Sequence, residues 1–285
     1  MMAWRNGEWF SQPAGAEVSV IHPGPCLFET FAIREGKVEC LGDHLARLAL
    51  GCPRLGLDVS RLQLGAKADA ARWQPVVQQL LAREKLTDAI IRLIVASRAD
   101  ALPTEWLTAR ALPPTPSTID LFQLKTVRDQ PEWLPRPKSG PWRNSSEAWR
   151  ELKSLTPRLD VEGLQFDALG RLAEATRSSL AWWDGNVWNF PAVVTGRLLG
   201  TAAAQFRGVL MQAGCSVKDT AEGFPFHAQT VVVLRSTFSG GAVLAQKYIG
   251  LDGTTLWQAS AGQDTPRRHL AALAQWRSQR AIILA

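Results

Sequence analysis

The chain has 285 residues, 46% of them hydrophobic and 20% charged, which is enough for two modest domains or a single large one. It contains no apolar run long enough to cross a membrane, and its N-terminus lacks the apolar core of a secretory signal, so neither is predicted. The net charge is +6, but the Lys and Arg residues are scattered, which argues against nucleic-acid binding. The four cysteines and four histidines do not suggest a metal site, and the low cysteine density favours a cytoplasmic protein.

The first part of the chain alternates strand-like and helix-like patterns. Four segments have the apolar patterns of strands: Val18–Ile21, Leu27–Arg34, Ala89–Ser97 and Thr104–Leu112. Two segments carry apolar residues at helical spacing: Asp43–Leu55, with Asp43 as candidate N-cap, and Pro75–Glu84, whose proline suits the first helical position. This alternation predicts an α/β domain.

A proline-rich stretch, Pro113–Ser117, follows and predicts a linker, because proline disfavours both helix and central strand. We therefore predict two domains, residues 1–113 and 118–285. Four further strands are predicted in the second domain: Thr118–Val127, Ser179–Trp183, Thr230–Leu234 and Val243–Ile249. Its predicted helices run from a capping-box-like start at Asn144 to about Leu155, from Leu199 to Ala213, and beyond Pro266.

Several short motifs follow one another in an order that is more specific than any one of them. They are Gly24 to Thr30 with its Phe-Glu-Thr end, Gly36, His44-Leu-Ala-Arg47-Leu48, the turn and carboxylate from Asp167 to Glu174, Gly196 to Gly200, and Leu234 to Gly240. In order and approximate spacing this series resembles the fold-type IV pyridoxal-phosphate enzymes, which include class IV aminotransferases and aminodeoxychorismate lyases. The resemblance covers roughly residues 20 to 253.

The resemblance implies an α/β (α+β) fold of two domains, like that of D-amino-acid aminotransferase. It also implies pyridoxal 5'-phosphate as cofactor, bound in the cleft between the domains, and a small-molecule amino or carboxylate substrate. Relatives are dimers, so a homodimer is expected.

The chemistry requires one lysine that holds the cofactor as a Schiff base and moves protons. Lys138 and Lys153 both precede Glu174 at plausible distances. The segment around Lys153 superficially resembles the family's lysine motif, but Lys153 falls inside the helix predicted from Asn144. Lys138 ends the loop before that helix, and its interval to Glu174 is close to the family's usual one. We therefore favour Lys138, with Lys153 as the alternative.

The other cofactor contacts follow from the same resemblance. Glu174 matches the carboxylate that pairs with the pyridine nitrogen, and Arg47 matches a phosphate arginine. Gly200 and Thr201 match a helix start that binds the phosphate through free backbone amides. Thr237 matches a hydroxyl contact to the cofactor.

The substrate is less well defined. Thr30 matches a position near the reacting carbon in the lyases, and Arg92 is a candidate for binding a substrate carboxylate. The family's asparagine is replaced by Ser179, and its arginine after the glycine turn is missing from Ala202–Ala204. The leading interpretation is an aminotransferase acting on an amino acid and a 2-oxo acid. The alternatives are a 4-amino-4-deoxychorismate lyase, which releases pyruvate and 4-aminobenzoate, and an inactive homologue with a binding role.

Overall fold

The computed structural model describes residues 2–11, 25–57, 68–98, 101–130, 134–140, 142–260 and 264–283. The strand predicted at Val18–Ile21 and the motif glycine Gly24 lie outside these ranges. The chain forms two compact units: unit 1 comprises Met1–Pro114, Pro137–Trp142 and Arg277–Ala285, and unit 2 comprises Thr115–Arg136 and Arg143–Trp276.

The described part of the chain alternates between strands and helices over most of its length. The strands are β1 (Met2–Arg5), β2 (Glu8–Ser11), β3 (Cys26–Arg34), β4 (Lys37–Glu39), β5 (Ala89–Arg98), β6 (Ala101–Ala111), β7 (Thr118–Gln123), β8 (Ser139–Gly140), β9 (Val161–Phe166), β10 (Leu172–Ala175), β11 (Ser179–Trp183), β12 (Trp188–Pro191), β13 (Val217–Thr220), β14 (Thr230–Leu234), β15 (Ala242–Ile249), β16 (Thr255–Gln258) and β17 (Ala281–Ile283). The α-helices are α1 (Leu41–Gly51), α2 (Ala68–Glu84), α3 (Arg143–Leu155), α4 (Thr201–Gln212) and α5 (Asp264–Ser278).

Unit 1 contains an antiparallel sheet in the order β17-β4-β3-β5-β6-β1-β2, with β8 also paired to β3. Its core lies between this sheet and helices α1 and α2, and it buries apolar residues such as Phe31, Leu45 and Leu80. The long apolar pairing of β3 with β5 forms the centre of the sheet. Strand β3 carries the Phe-Glu-Thr motif, so this motif lies inside the sheet, between β4 and β5.

Unit 2 contains a mixed sheet in the order β10-β9-β7-β15-β14-β11-β12-β13, with β16 paired to β15. Strand β7 runs parallel to both β9 and β15, and β12 runs parallel to β13. Helix α4 packs Phe206 and Leu210 against Trp188 and Phe190 of the sheet. The predicted α/β (α+β) class is confirmed by these two sheets and their helices.

The two units are not two continuous stretches of the chain, because unit 1 also contains two later segments. Residues 137–142 and 277–285 lie beyond the predicted linker, yet both segments belong to unit 1. The reason is strand pairing, because β8 hydrogen-bonds to β3 and β17 hydrogen-bonds to β4. Lys138 belongs to the first of these segments and is therefore a residue of unit 1.

Several predicted boundaries were wrong. Helix α1 begins at Leu41, and Cys40 in a left-handed conformation, rather than Asp43, precedes it. Pro75 lies inside α2, because the helix already starts at Ala68. Strand β7 ends at Gln123 rather than Val127, because its ladders with β9 and β15 stop there.

Candidate active site

Backbone hydrogen bonds place Lys138 beside the Phe-Glu-Thr motif. Strand β8 starts immediately after it and pairs with the beginning of β3. The Phe28 amide donates a hydrogen bond to the Lys138 carbonyl oxygen at 3.1 Å. The lysine is thus attached to a central strand of unit 1.

The side chain of Lys138 is largely buried, with 11% of it exposed. Its Nζ lies 3.6 Å from Glu29 Oε2 and 5.2 Å from the centre of the Phe28 ring. Burial lowers the pKa of Lys138 to about 7; the carboxylate of Glu29 opposes this, whereas Arg47 and Arg92 lower the pKa further. Near neutral pH a large fraction of this amine is therefore unprotonated, the form that attacks an aldehyde.

Glu29 is the centre of a buried charge cluster in unit 1. Its side chain is fully buried and accepts hydrogen bonds from Arg47 Nε at 2.7 Å and Nη2 at 2.6 Å, and it contacts His44 Nδ1 at 2.8 Å. Burial alone would raise the pKa of Glu29, but Lys138, Arg47 and His44 together hold it well below the ordinary value. Burial lowers the pKa of His44. The neutral imidazole therefore donates its Nδ1–H to the carboxylate.

Glu29 was recognised from the sequence only as part of the Phe-Glu-Thr motif, and no role was predicted for it. The motif spacing did contain a signal, since His44 and Arg47 lie one turn apart and face the same side of a helix. Glu29 fixes Arg47, the candidate phosphate ligand, through a two-point contact. Which strand residue meets that helix face depended on the sheet register.

Thr30 and Arg92 are direct partners in the ladder between β3 and β5. Both are half-buried, and the Arg92 guanidinium carbon lies 5.5 Å from the Phe28 ring centre. Because side chains alternate along a strand, Thr30 lies on the opposite face of β3 from Glu29. The structure therefore brings Thr30 and Arg92 together.

The alternative lysine lies in unit 2. Lys153 is in the last turn of α3, where its Nζ donates to the carbonyl oxygen of Arg158 and lies 4.6 Å from the ring centre of Trp149. These contacts tie the lysine to the segment that follows α3.

Glu174 lies in strand β10, and its side chain is 10% exposed. Its Oε1 is 2.5 Å from Nη2 of Arg128, and its Oε2 accepts the backbone N–H of Leu198 at 3.0 Å. The carboxylate is thus oriented by two donors of unit 2. Sequence reasoning did not identify Arg128, which follows β7 and has no motif around it.

Arg128 also explains an error at the start of α3. The predicted capping box assigned Asn144 to the N-cap, but α3 starts at Arg143. The Asn144 side chain instead accepts a hydrogen bond from Arg128 Nη1 at 3.0 Å and donates one to the Val127 carbonyl at 2.7 Å. A polar side chain that appeared to serve local helix capping serves a tertiary contact.

Gly200 is the residue before helix α4, which begins at Thr201. A Cβ at Gly200 would come too close to Ser179 Oγ unless that hydroxyl moved, so glycine suits this close approach. Ser179 fills the space that a side chain at position 200 would need. The buried Thr201 opens the helix, whose first backbone amides have no partner within the helix. Thr237 is half-buried in the turn after β14.

The profile of the amino-transferase class IV family matches residues 26–223. The chain belongs to this family. It is therefore an enzyme of the class IV aminotransferase family, whose members use pyridoxal phosphate. No curated protein sequence matches it significantly.

Solved structures of similar fold include both activities expected from the motifs. A branched-chain amino acid aminotransferase from Escherichia coli is 18% identical with a TM-score of 0.70, covering 94% of this chain and 91% of that one. A branched-chain aminotransferase from Thermoproteus uzoniensis is 16% identical with a TM-score of 0.73, covering 100% and 99%. A 4-amino-4-deoxychorismate lyase from Pseudomonas aeruginosa is 22% identical with a TM-score of 0.69, covering 96% and 98%. At these identities the likeness concerns the fold alone.

The residues present fit pyridoxal phosphate. The chain offers a buried amine with a lowered pKa at Lys138, an oriented carboxylate at Glu174 and a helix start at Gly200 that leaves no room for a side chain. These are the three groups that an aldehyde, a pyridine nitrogen and a phosphate would need.

Within the described ranges, no helix has both the length and the apolar character required to cross a bilayer.

Proposed function

We propose that this enzyme binds pyridoxal phosphate covalently through Lys138 and transfers an amino group between an amino acid and a 2-oxo acid. The observation that carries the proposal is the Lys138 side chain, a largely buried amine with a pKa of about 7 attached beside the family's Phe-Glu-Thr motif. When bound, the cofactor supplies an electron sink for the electrons of the substrate's alpha carbon.

The chain's own residues would share the work. Lys138 would remove the proton at the substrate's alpha carbon and return it, for which a pKa near the working pH is suited. Glu174 would accept a hydrogen bond from the ring N–H, and Arg47 and the backbone amides at Gly200 and Thr201 are the groups proposed to bind the phosphate. Thr237 supports this phosphate contact through its hydroxyl.

Substrate recognition is assigned to the other face of β3. Arg92 would bind the substrate carboxylate, since its guanidinium lies beside Thr30 and Phe28. This pairing also favours the second candidate, a 4-amino-4-deoxychorismate lyase, because Thr30 matches the lyase position near the reacting carbon. The two activities share the proton removal by Lys138.

The test of cofactor binding compares two lysine variants. Lys138→Ala should lose the visible absorption band and its sensitivity to borohydride, whereas Lys153→Ala, the matched control, should keep both. Retained borohydride-sensitive colour in Lys138→Ala would assign the role to Lys153. A wild-type protein that never becomes coloured with pyridoxal phosphate would instead support the inactive binding homologue.

The test of activity uses the two substrate classes in parallel. Wild-type protein is given either an amino acid with a 2-oxo acid or 4-amino-4-deoxychorismate. Formation of a new amino acid identifies the aminotransferase, and equal amounts of pyruvate and 4-aminobenzoate identify the lyase.

We also propose that the protein is a cytoplasmic homodimer. Light scattering tests the dimer and cell fractionation tests the location. The four free cysteines are typical of a reducing compartment.

A further inference from the structure

The four cysteines of the chain all lie in described residues, and they differ in their access to solvent. Cys26, Cys40 and Cys52 are buried, and burial raises the pKa of each thiol, to about 11 for Cys40 and Cys52. Cys215, which follows helix α4 in unit 2, is partly exposed. Because the thiolate is the nucleophilic form of cysteine, Cys215 is the one of the four that is placed to react with a reagent from solvent.

The sulfur of Cys215 faces a histidine whose proton has a fixed position. Its Sγ lies 3.3 Å from Nε2 of His269 in helix α5. The other ring nitrogen, Nδ1, accepts a hydrogen bond from the indole N–H of Trp188 at 3.1 Å. An indole nitrogen can only donate, so Nδ1 carries no proton. The neutral imidazole therefore has its proton on Nε2 and donates it to the sulfur.

The surroundings keep the imidazole neutral and leave it as the donor. Burial lowers the pKa of His269, and the nearby charge of Arg268 lowers it further. These two residues of α5 are the titratable groups that face the sulfur. Strands β12 and β13 and helix α4 contribute apolar residues to the cluster against which the cysteine packs, namely Trp188, Val217 and Leu210. The positive charge of Arg268 also favours an anionic sulfur over a neutral one.

The C-terminus of α4 fixes the backbone on which this sulfur is carried. The amide of Gly214, which has a φ of 73°, donates to the carbonyl oxygen of Met211 at 3.1 Å, and the amide of Cys215 donates to that of Leu210 at 2.9 Å. The last carbonyl groups of a helix disfavour a nearby anion, but these two are already satisfied by the turn. The turn therefore holds the cysteine beside α5 and reduces the opposing dipole.

We propose that Cys215 is a modification site, the thiol through which this protein forms mixed disulfides with small organic disulfides, and that His269 is a positioning residue that donates an N–H to its sulfur. In this exchange the thiolate of Cys215 attacks one sulfur of the disulfide. A new S–S bond forms as the old one breaks, the other half leaves as a thiolate, and the proton lost by the cysteine goes to water. The proposal is independent of the bound cofactor.

The hydrogen bond from His269 sets the size of the expected effect. A hydrogen bond to an ionised group increases the thiolate population about tenfold to a hundredfold. Each tenfold increase in that population also lowers the intrinsic nucleophilicity of the thiolate about threefold. The rate of disulfide exchange at neutral pH should therefore be about threefold to tenfold higher with the donor than without it.

The probe is glutathione disulfide, added in excess to the purified full-length protein at pH 7, and the adducts are mapped by peptide mass spectrometry. We expect one adduct per chain, at Cys215, and none in Cys215→Ser. His269→Leu and His269→Phe remove the donor and should slow the exchange about threefold to tenfold. His269→Gln, whose amide N–H can take the place of Nε2–H, should slow it less. His227→Leu, the matched control, removes an exposed histidine of unit 2 outside this cluster and should leave the rate unchanged.

Circular dichroism establishes which variants are folded. An adduct at one of the three buried cysteines of the folded wild type, or no adduct at all, overturns the assignment of the site. An unchanged or faster exchange in a folded His269→Leu or His269→Phe protein overturns the role of the histidine, as does a His269→Gln protein that reacts no faster than these two. If neither apolar variant folds, the adduct map of the wild type and the rate of His269→Gln decide.

Discussion

Glu29→Gln should make the amine of Lys138 more acidic. The Glu29 carboxylate lies 3.6 Å from Lys138 Nζ and stabilises its protonated form. Two unit charges about 4 Å apart interact by about 4 kcal/mol at an effective dielectric constant of about 20, and about 1.4 kcal/mol corresponds to one pKa unit. The interaction is therefore worth up to about 3 units. Because Arg47 and His44 share the same carboxylate, we expect a smaller fall of at least about 1 unit, from a pKa of about 7 to about 6 or below.

The assay does not depend on the cofactor. Apo-protein is labelled competitively with acetic anhydride over a pH series, and the peptide that contains Lys138 is quantified by mass spectrometry. The midpoint of its labelling should lie near pH 7 in the wild type and about 1 unit lower in Glu29→Gln. Glu39→Gln is the matched control, since Glu39 pairs with Arg277 at 2.8 Å in the same unit. A midpoint that is unchanged or higher in folded Glu29→Gln would refute the reasoning.

Four further expectations concern Glu174, Arg47, Gly200 and Lys138. Glu174→Gln should leave pyridoxal phosphate bound but slow alpha-proton removal about a hundredfold or more, because several kcal/mol of charge stabilisation are lost. Arg47→Ala should instead raise the cofactor concentration needed for half-saturation and leave turnover at saturation near normal. Steady-state kinetics at several cofactor concentrations measures both effects. Gly200→Ala should lower the melting temperature and the cofactor affinity, because its Cβ would clash with Ser179 Oγ. Adding Ser179→Ala should restore part of both, and no restoration would contradict a clash at this contact. The pKa of Lys138 is lowered in the folded state, so the unfolded chain binds more protons between about pH 7 and 10.5. The free energy of unfolding should therefore rise with pH in that window, by up to about 1.4 kcal/mol per pH unit. Denaturant unfolding should show this rise in the wild type and not in Lys138→Met.

Local sequence patterns were sufficient for the fold class and the family. Strands such as Ser179–Trp183 and Thr230–Leu234 were predicted with the bounds that the structure shows, because buried strands are short runs of apolar residues. The ordered motifs from Phe28 to Thr237 indicated the family that the profile confirms. The assignments of Lys138 and Glu174 stay predictions that the proposed experiments test.

The same sequence patterns did not predict two short strands of unit 2. Val161–Phe166 and Leu172–Ala175 were not predicted, although both are almost entirely buried. They contain buried charged residues, Glu162 and Glu174, which interrupt the apolar run that marks a strand. A carboxylate is tolerated there only because arginines distant in the chain pair with it.

The sequence by itself determined which chemical groups the chain carries and in what order, because residue types and their spacing are local properties. Only the tertiary structure decided which charges meet. Glu29 contacts Arg47, His44 and Lys138, and Glu174 pairs with Arg128, through contacts between segments that are apart in the chain. The proton affinity of a buried group depends on burial and on the nearest charges, and both depend on strand register and helix packing rather than on the residue's neighbours in sequence.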